Sequence, residues 1–284
     1  MGRRLLSHLL ISLAVFILTA TFFMWTVDSR VLEPTALSSE LRKAGVAQEI
    51  AKLMPEIVTA DKQESTLEEA EDMKNKISQA VTVDYVDQKI TEITNSVLTF
   101  VRNGEPQPVI SLSDFPERLK ALGVETDGDF ADEFAKPIEL NKEGKLDNIN
   151  KGYETFKLLK YAGLALFAVL MLLEWFVAEK GQKLKRISRV FLYAGVSYLI
   201  YWLALIVAPG RLTSTLQKNV NAEYDTMGLI DSVLKAVQGI FSGYFLVFTV
   251  VCLGIATLLY AIRHYRHGDV LPGSAPVART PLKK

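Results

Sequence analysis

The sequence predicts an all-α membrane protein with four transmembrane helices plus a helical extracytoplasmic domain. Three observations lead there. Four apolar windows, at 5–25, 158–177, 190–209 and 240–262, each reach the roughly 20 residues a helix needs to cross the hydrocarbon core of a bilayer. Lysine and arginine gather in three of the pieces that flank these windows. The long piece between the first two windows repeats its apolar residues at helical spacing.

The first window follows Arg3 and Arg4, a positive start that a secretory signal also has. Its apolar run is too long for a signal peptide, and Thr21 to Trp25 offers no small-residue cleavage site. Residues 1–27 therefore read as a short tail and an uncleaved signal anchor.

Residues 28–157 form the predicted domain, of ordinary single-domain size. Leu41, Val46, Ile50, Leu53 and Ile57 recur mostly at helical spacing. Ser65 and Glu68 have the spacing of a capping box, in which serine accepts from the third amide and glutamate reaches back. The clearest helix follows: Val83, Val86, Ile90, Ile93, Val97, Phe100 and Val101 form one stripe. Thr82 can cap its start, with Asp84 and Asp87 at the positive end of the dipole. Asn103 and Gly104 end it, and Pro106 and Pro108 prevent its resumption. Ser113, Asp114 and Pro116 mark another helix start, running to Leu122 and Gly123. From Lys142 a helix passes Tyr153 and Phe156 into the second window. Met227, Ile230, Val233, Leu234 and Val237 likewise lead into the fourth, so both helices are expected to project from the bilayer as stalks beside the domain.

The remaining spans occupy 158–262, with a basic loop at 178–189 and an outer loop at 210–239. The tail, 263–284, contains Pro272, Pro276 and Pro281 and reads as disordered. The tail, the 178–189 loop and the N-terminus together hold twelve bases and two acids. The bases that set orientation are Arg3, Arg4, Lys183, Lys185, Arg186, Arg189, Arg263 and Arg266. Alternation puts all three segments on one side, which by the positive-inside rule is cytoplasmic. On the other side, segments 28–157 and 210–239 taken together hold more acids than bases. Cys252 is the single cysteine and lies in an apolar window, so no disulfide forms within the chain. An outer domain without disulfides or N-x-S/T acceptors suits a bacterial inner membrane.

Over 284 residues the net charge is zero, and nothing suggests the basic face of a nucleic-acid binder. No P-loop, GxSxG, HExxH or Rossmann fingerprint occurs. His8, His264 and His267 all lie outside the domain, so it cannot assemble a Ser/His/Asp triad. His264 and His267 are spaced to share a metal but lack further ligands, and they read better as a clamp on anionic headgroups. The acid run at 125–133 could hold calcium, yet it lacks EF-hand spacing and reads as a solvated turn. No metal or cofactor is expected.

The candidate intramembrane polar residues are Glu174, Tyr198 and Tyr201. Glu174 could relay protons or cations. The favoured reading is an interfacial carboxylate paired with Lys180, Lys183 or Arg186. Lys160, near the outer end of the second span, could extend its stem to the interface. Tyr193, Tyr198, Tyr201 and Trp202 could line a polar pocket, although hydrogen bonding between helices is the favoured reading.

Residues 83–122, VDYVDQKITEITNSVLTFVRNGEPQPVISLSDFPERLKAL, resemble in style uncharacterised bacterial multi-pass membrane proteins with a helical extracytoplasmic domain between the first and second transmembrane helices. The resemblance implies a fold and a location and transfers no activity.

The sequence therefore points to a non-enzymatic membrane protein that binds or senses an envelope partner through its outer domain. Its expected partners are the lipid bilayer and a second protein or further copies of itself. The alternatives are a channel or transporter component acting as an oligomer, and a sensor that signals through a separate partner.

Overall fold

A computed structural model describes residues 2–60, 67–124, 134–179, 181–219 and 226–267. Its side chains are described over 4–57, 71–124, 134–179, 181–207 and 226–265. Ser65 of the capping box, the acid run at 125–133, Lys180 and the tail from 268 lie outside the described residues.

The described chain is almost wholly helical. Four of its helices are long and apolar enough to cross a membrane: α1 (Gly2–Thr26), α7 (Lys145–Val177), α8 (Lys183–Asn219) and α9 (Met227–His267). The α8–α9 pair has the most extensive contact, and α1 packs between α7 and α8. Outward-facing Phe16, Leu158, Phe176 and Val250 are 62–74% exposed. Apolar faces this continuous suit lipid and not water.

Small residues set the helix spacing. A Cβ on Gly163 of α7 would run into the hydroxyl of Thr21 on α1, and one on Gly195 of α8 would come within 3.2 Å of Cys252 and Leu253 on α9. In lipid, such close approach through small residues replaces the hydrophobic drive that water provides elsewhere. Phe22, Tyr198, Phe245 and Phe248 fill the centre, with Phe22 and Phe248 stacked at 3.8 Å between ring centroids.

At one end of the bundle sits a head made of α2 (Pro34–Lys43), α3 (Val46–Ala60), α4 (Leu67–Ala80), α5 (Val83–Asn103) and α6 (Phe115–Ala121). Ala47, Ala51, Ile77, Val81, Tyr85, Val86, Phe115 and Leu119 form its core. Thr82 caps α5, its hydroxyl accepting from the Tyr85 amide at 3.3 Å. Gly104 ends α5 at φ 80°, in the left-handed region open to glycine, and its amide donates to Phe100 O at 2.7 Å. The buried face of α5 is centred on Tyr85, Val86, Thr94, Leu98, Phe100 and Val101. Val83, at one end of the expected stripe, is 42% exposed.

Four features depart from the sequence reading. A short antiparallel pair, β1 (Val109–Ile110) with β2 (Ile138–Glu139), interrupts the helices. The end of α1 widens into a π turn, Val27–Val31, closed by the Leu32 amide donating to Val27 O at 3.0 Å. Helix α8 does not stop at position 209 but runs to Asn219, since a proline removes only one bond from a long helix. Finally, Val233 and Val237 of α9 are 41% and 39% exposed, whereas Ser232 and Ala236 are buried. The latter share a face with Gly228 and Gly239, over which Glu49 of α3 and Glu40 of α2 lie. The head thus meets α9 in part through small residues, while Met227, Ile230 and Leu234 of the apolar stripe are half-buried.

Candidate functional site

Polar side chains concentrate at the two ends of the bundle. At the head end, the π turn carries Asp28, which accepts from the Tyr153 hydroxyl at 2.8 Å and pairs with Lys160, both on α7. A wide turn re-aims one side chain within an otherwise regular helix, which is how such turns are commonly used at functional positions. Lys160 is only 4% exposed. Its ammonium lies 4.7 Å from the Trp25 ring centroid and 5.0 Å from that of Tyr161. Asp28 thus holds the ammonium between two aromatic rings, an environment that favours a cation.

Further contacts tie the head to this point. Arg102, at the end of α5, pairs with Glu33 just before α2. Burial works against the Arg102 charge, but the hydrogen bonds and charges of Glu33 and Tyr153 together outweigh it and hold the guanidinium pKa above its ordinary value. Asn150 of α7 donates its amide to Val101 O at 2.9 Å, a carbonyl that the end of α5 leaves open, and at 3.3 Å to Phe100 O, which also accepts from the Gly104 amide. Arg30 sits 4.6 Å over the Tyr244 ring of α9. Arg42 of α2 and Asp87 of α5 pair at 2.6 Å within the head.

At the opposite end Glu174 is 1% exposed. Its Oε1 accepts from the Ser7 hydroxyl at 2.5 Å and from Arg186 at 3.4 Å. Its Oε2 is buried without a partner. Of the suggested partners among the described residues, Arg186 is in contact, while Lys183 lies 4.8 Å over the Trp175 ring.

Of the other basic residues, Arg4 is exposed, and Lys185, Arg189 and Arg263 are half-buried; the side chains of Arg3 and Arg266 lie outside the described residues. His8 and His264 are exposed. No group of three or more His, Cys, Asp or Glu able to hold a metal occurs among the described residues.

The two candidate tyrosines part company. Tyr198 is fully buried and donates to Thr19 O at 2.7 Å, bridging α8 to α1. Tyr201 is 49% exposed and packs edge-on against Tyr198.

On the head, a groove of about 410 Å³ opens between α3 and the α4–α5 corner. Gln48, Lys52, Ser78 and Thr82 rim it over buried Ala51 and Val81. This mixture of polar rim and apolar floor can grip a protein segment.

The sequence reading missed Asp28, Glu33, Arg102 and Asn150. One signal for the first was available: an acid one turn beyond Trp25 and a lysine one turn into the second window fall at the same depth. The chain matches no protein-family model, and comparison with curated proteins and with solved structures finds no match either.

Proposed function

We propose that this chain is a non-enzymatic protein of a bacterial inner membrane, with both termini cytoplasmic. In this reading the head at 28–157 lies outside the cytoplasm and binds or senses a protein of the envelope through the α3/α4–α5 groove. The carrying observation is the junction, where Asp28, Lys160, Tyr153, Arg102, Glu33 and Asn150 tie the head to α1 and α7. A tether would need no such network; a binding module whose occupancy must reach the bundle does.

Two measurements test the proposal. Alkaline phosphatase fused after residue 104 should be active, and a fluorescent protein fused after residue 267 should fluoresce; the reverse pattern inverts the orientation and ends the reading. A photo-crosslinker at Gln48 or Ser78 in native membranes should trap a discrete partner that one at exposed Lys145 does not. Equal trapping at all three positions would remove the groove from consideration. The channel or transporter reading is the alternative, but its ionisable candidate, Glu174, is enclosed by Ser7 and Arg186.

A further inference from the structure

The α1–α8 seam contains two cavities of opposite character. At the end away from the head lies a polar cavity of about 180 Å³, bordered by Arg4, Ser7 and His8 of α1, by Arg186 and Arg189 of α8, and by Glu179 and Gln182 before α8. This is several times the roughly 30 Å³ that a water occupies. Arg4 and Arg189 make no ion pair with any described residue. Arg186 is shared with Glu174, and Glu179, on the exposed rim, accepts from Gln182 at 3.4 Å. Among the described side chains, three guanidiniums thus face two carboxylates, an excess of one positive charge when His8 is neutral.

Deeper along the same two helices is an apolar cavity of about 540 Å³, lined by Phe16, Thr19 and Phe23 of α1 and by Tyr201, Ala204 and Leu205 of α8. At 1.5 Å per residue, Thr19 lies about 16 Å beyond His8, and Tyr201 about 18 Å beyond Arg189. One leaflet of hydrocarbon is about 15 Å thick. The spacing between the cavities is therefore that between a phospholipid phosphate and the far part of its acyl chain.

We propose that this seam binds one anionic phospholipid, with its phosphate among Arg4, Arg186 and Arg189 and one acyl chain in the cavity beside Tyr201. Guanidinium forks match phosphate oxygens in pairs. The single surplus charge matches a phosphodiester with an uncharged headgroup. A choline or ethanolamine group would bring a cation toward the same arginines. The inference needs the bundle to sit in lipid and is independent of what the head binds.

The test uses the full-length protein in maltoside detergent, with lipid binding followed by native mass spectrometry. Dioleoyl phosphatidylglycerol should bind about tenfold more tightly than dioleoyl phosphatidylcholine, and Arg4→Gln with Arg189→Gln should erase that preference. These two side chains pair with no acid among the described residues, so the variant should keep the wild-type melting temperature in detergent alone; if it does not, Arg189→Gln singly serves the same comparison. Ala204→Phe, which fills the deep cavity, should weaken the dioleoyl lipid severalfold while leaving dihexanoyl phosphatidylglycerol unchanged. Equal binding of the two headgroups would overturn the proposal, as would insensitivity to the arginine variants. Displacement of the lipid by an equal concentration of inorganic phosphate would make this a free-anion site instead.

Discussion

The bundle contains two ion pairs, one near each end, Asp28–Lys160 partly buried and Glu174–Arg186 buried, and they are built differently. Asp28 and Lys160 are closed in: the carboxylate takes a phenol and an ammonium, and the ammonium lies against two aromatic rings. Glu174 and Arg186 are left open, with one carboxylate oxygen bare and the guanidinium bordering a cavity. A buried pair justifies its desolvation only when its remaining hydrogen-bonding capacity is met. The first pair meets that condition and reads as structural. The second does not, which suits a place where a ligand comes and goes.

The largest effect should come from breaking the closed pair. Lys160→Met leaves the partly buried Asp28 carboxylate without its ammonium and should cost about 3 kcal/mol, the lower end for breaking a buried pair, read as a lower melting temperature in detergent. Lys160→Met with Asp28→Leu should recover much of that loss. A neutral single variant would mean that Asp28–Lys160 is no more structural than Glu174–Arg186. Next is Gly163→Leu, which forces α7 away from Thr21 and should cost about 1–3 kcal/mol; the same measurement on Gly195→Leu tests whether the α8–α9 spacing is equally strict.

The open pair should matter less. Glu174→Gln keeps an acceptor for Ser7 and frees Arg186 toward its cavity, so a loss of about 1 kcal/mol is expected. A loss as large as that of Lys160→Met would erase the contrast between the two ends. The smallest effect lies in the head. Burial, then the Asp114 carboxylate, push the Tyr85 phenol up to about 12. Its folded pKa is above the unfolded value near 10, so its contribution to stability is complete below pH 10 and fades as pH rises toward 12. Tyr85→Phe should flatten that part of a pH–stability curve relative to wild type.

What was legible in the sequence was what local physics decides. The four spans follow from length and apolarity, the start of α5 from the Thr82 side chain, and its end from a glycine at φ 80°. Pairings across the chain were not legible. Asp28 and Lys160 stand 132 residues apart, and only the meeting of α1 with α7 brings them together. Helix α2 opens on a proline that reads as readily as a turn, and the β1–β2 pair is two residues long on each side, below any periodicity. The face of α9 turned to the head was misjudged in part, for another reason. Apolar spacing identifies a helix that must bury something, but where helices approach closely it is the small residues, here Ser232 and Ala236, that lie inside. For the candidate site, Glu174 and Tyr198 were visible as polar residues in apolar runs. The arrangement of arginines around a cavity was not, because their charge had already been accounted for as a signal of orientation.

Ser7 and Asp28 lie at opposite ends of the same helix, and each is fastened to α7, through Glu174 and through Lys160 with Tyr153. Two helices pinned at both extremities cannot slide past one another or twist apart while the pins hold, so α1 and α7 travel as a single plank. Helices α8 and α9 form the other plank. If the head moves the bundle as proposed, the planks shift only by working against the contacts that join them, among them Tyr198 to Thr19 and Arg186 to Glu174.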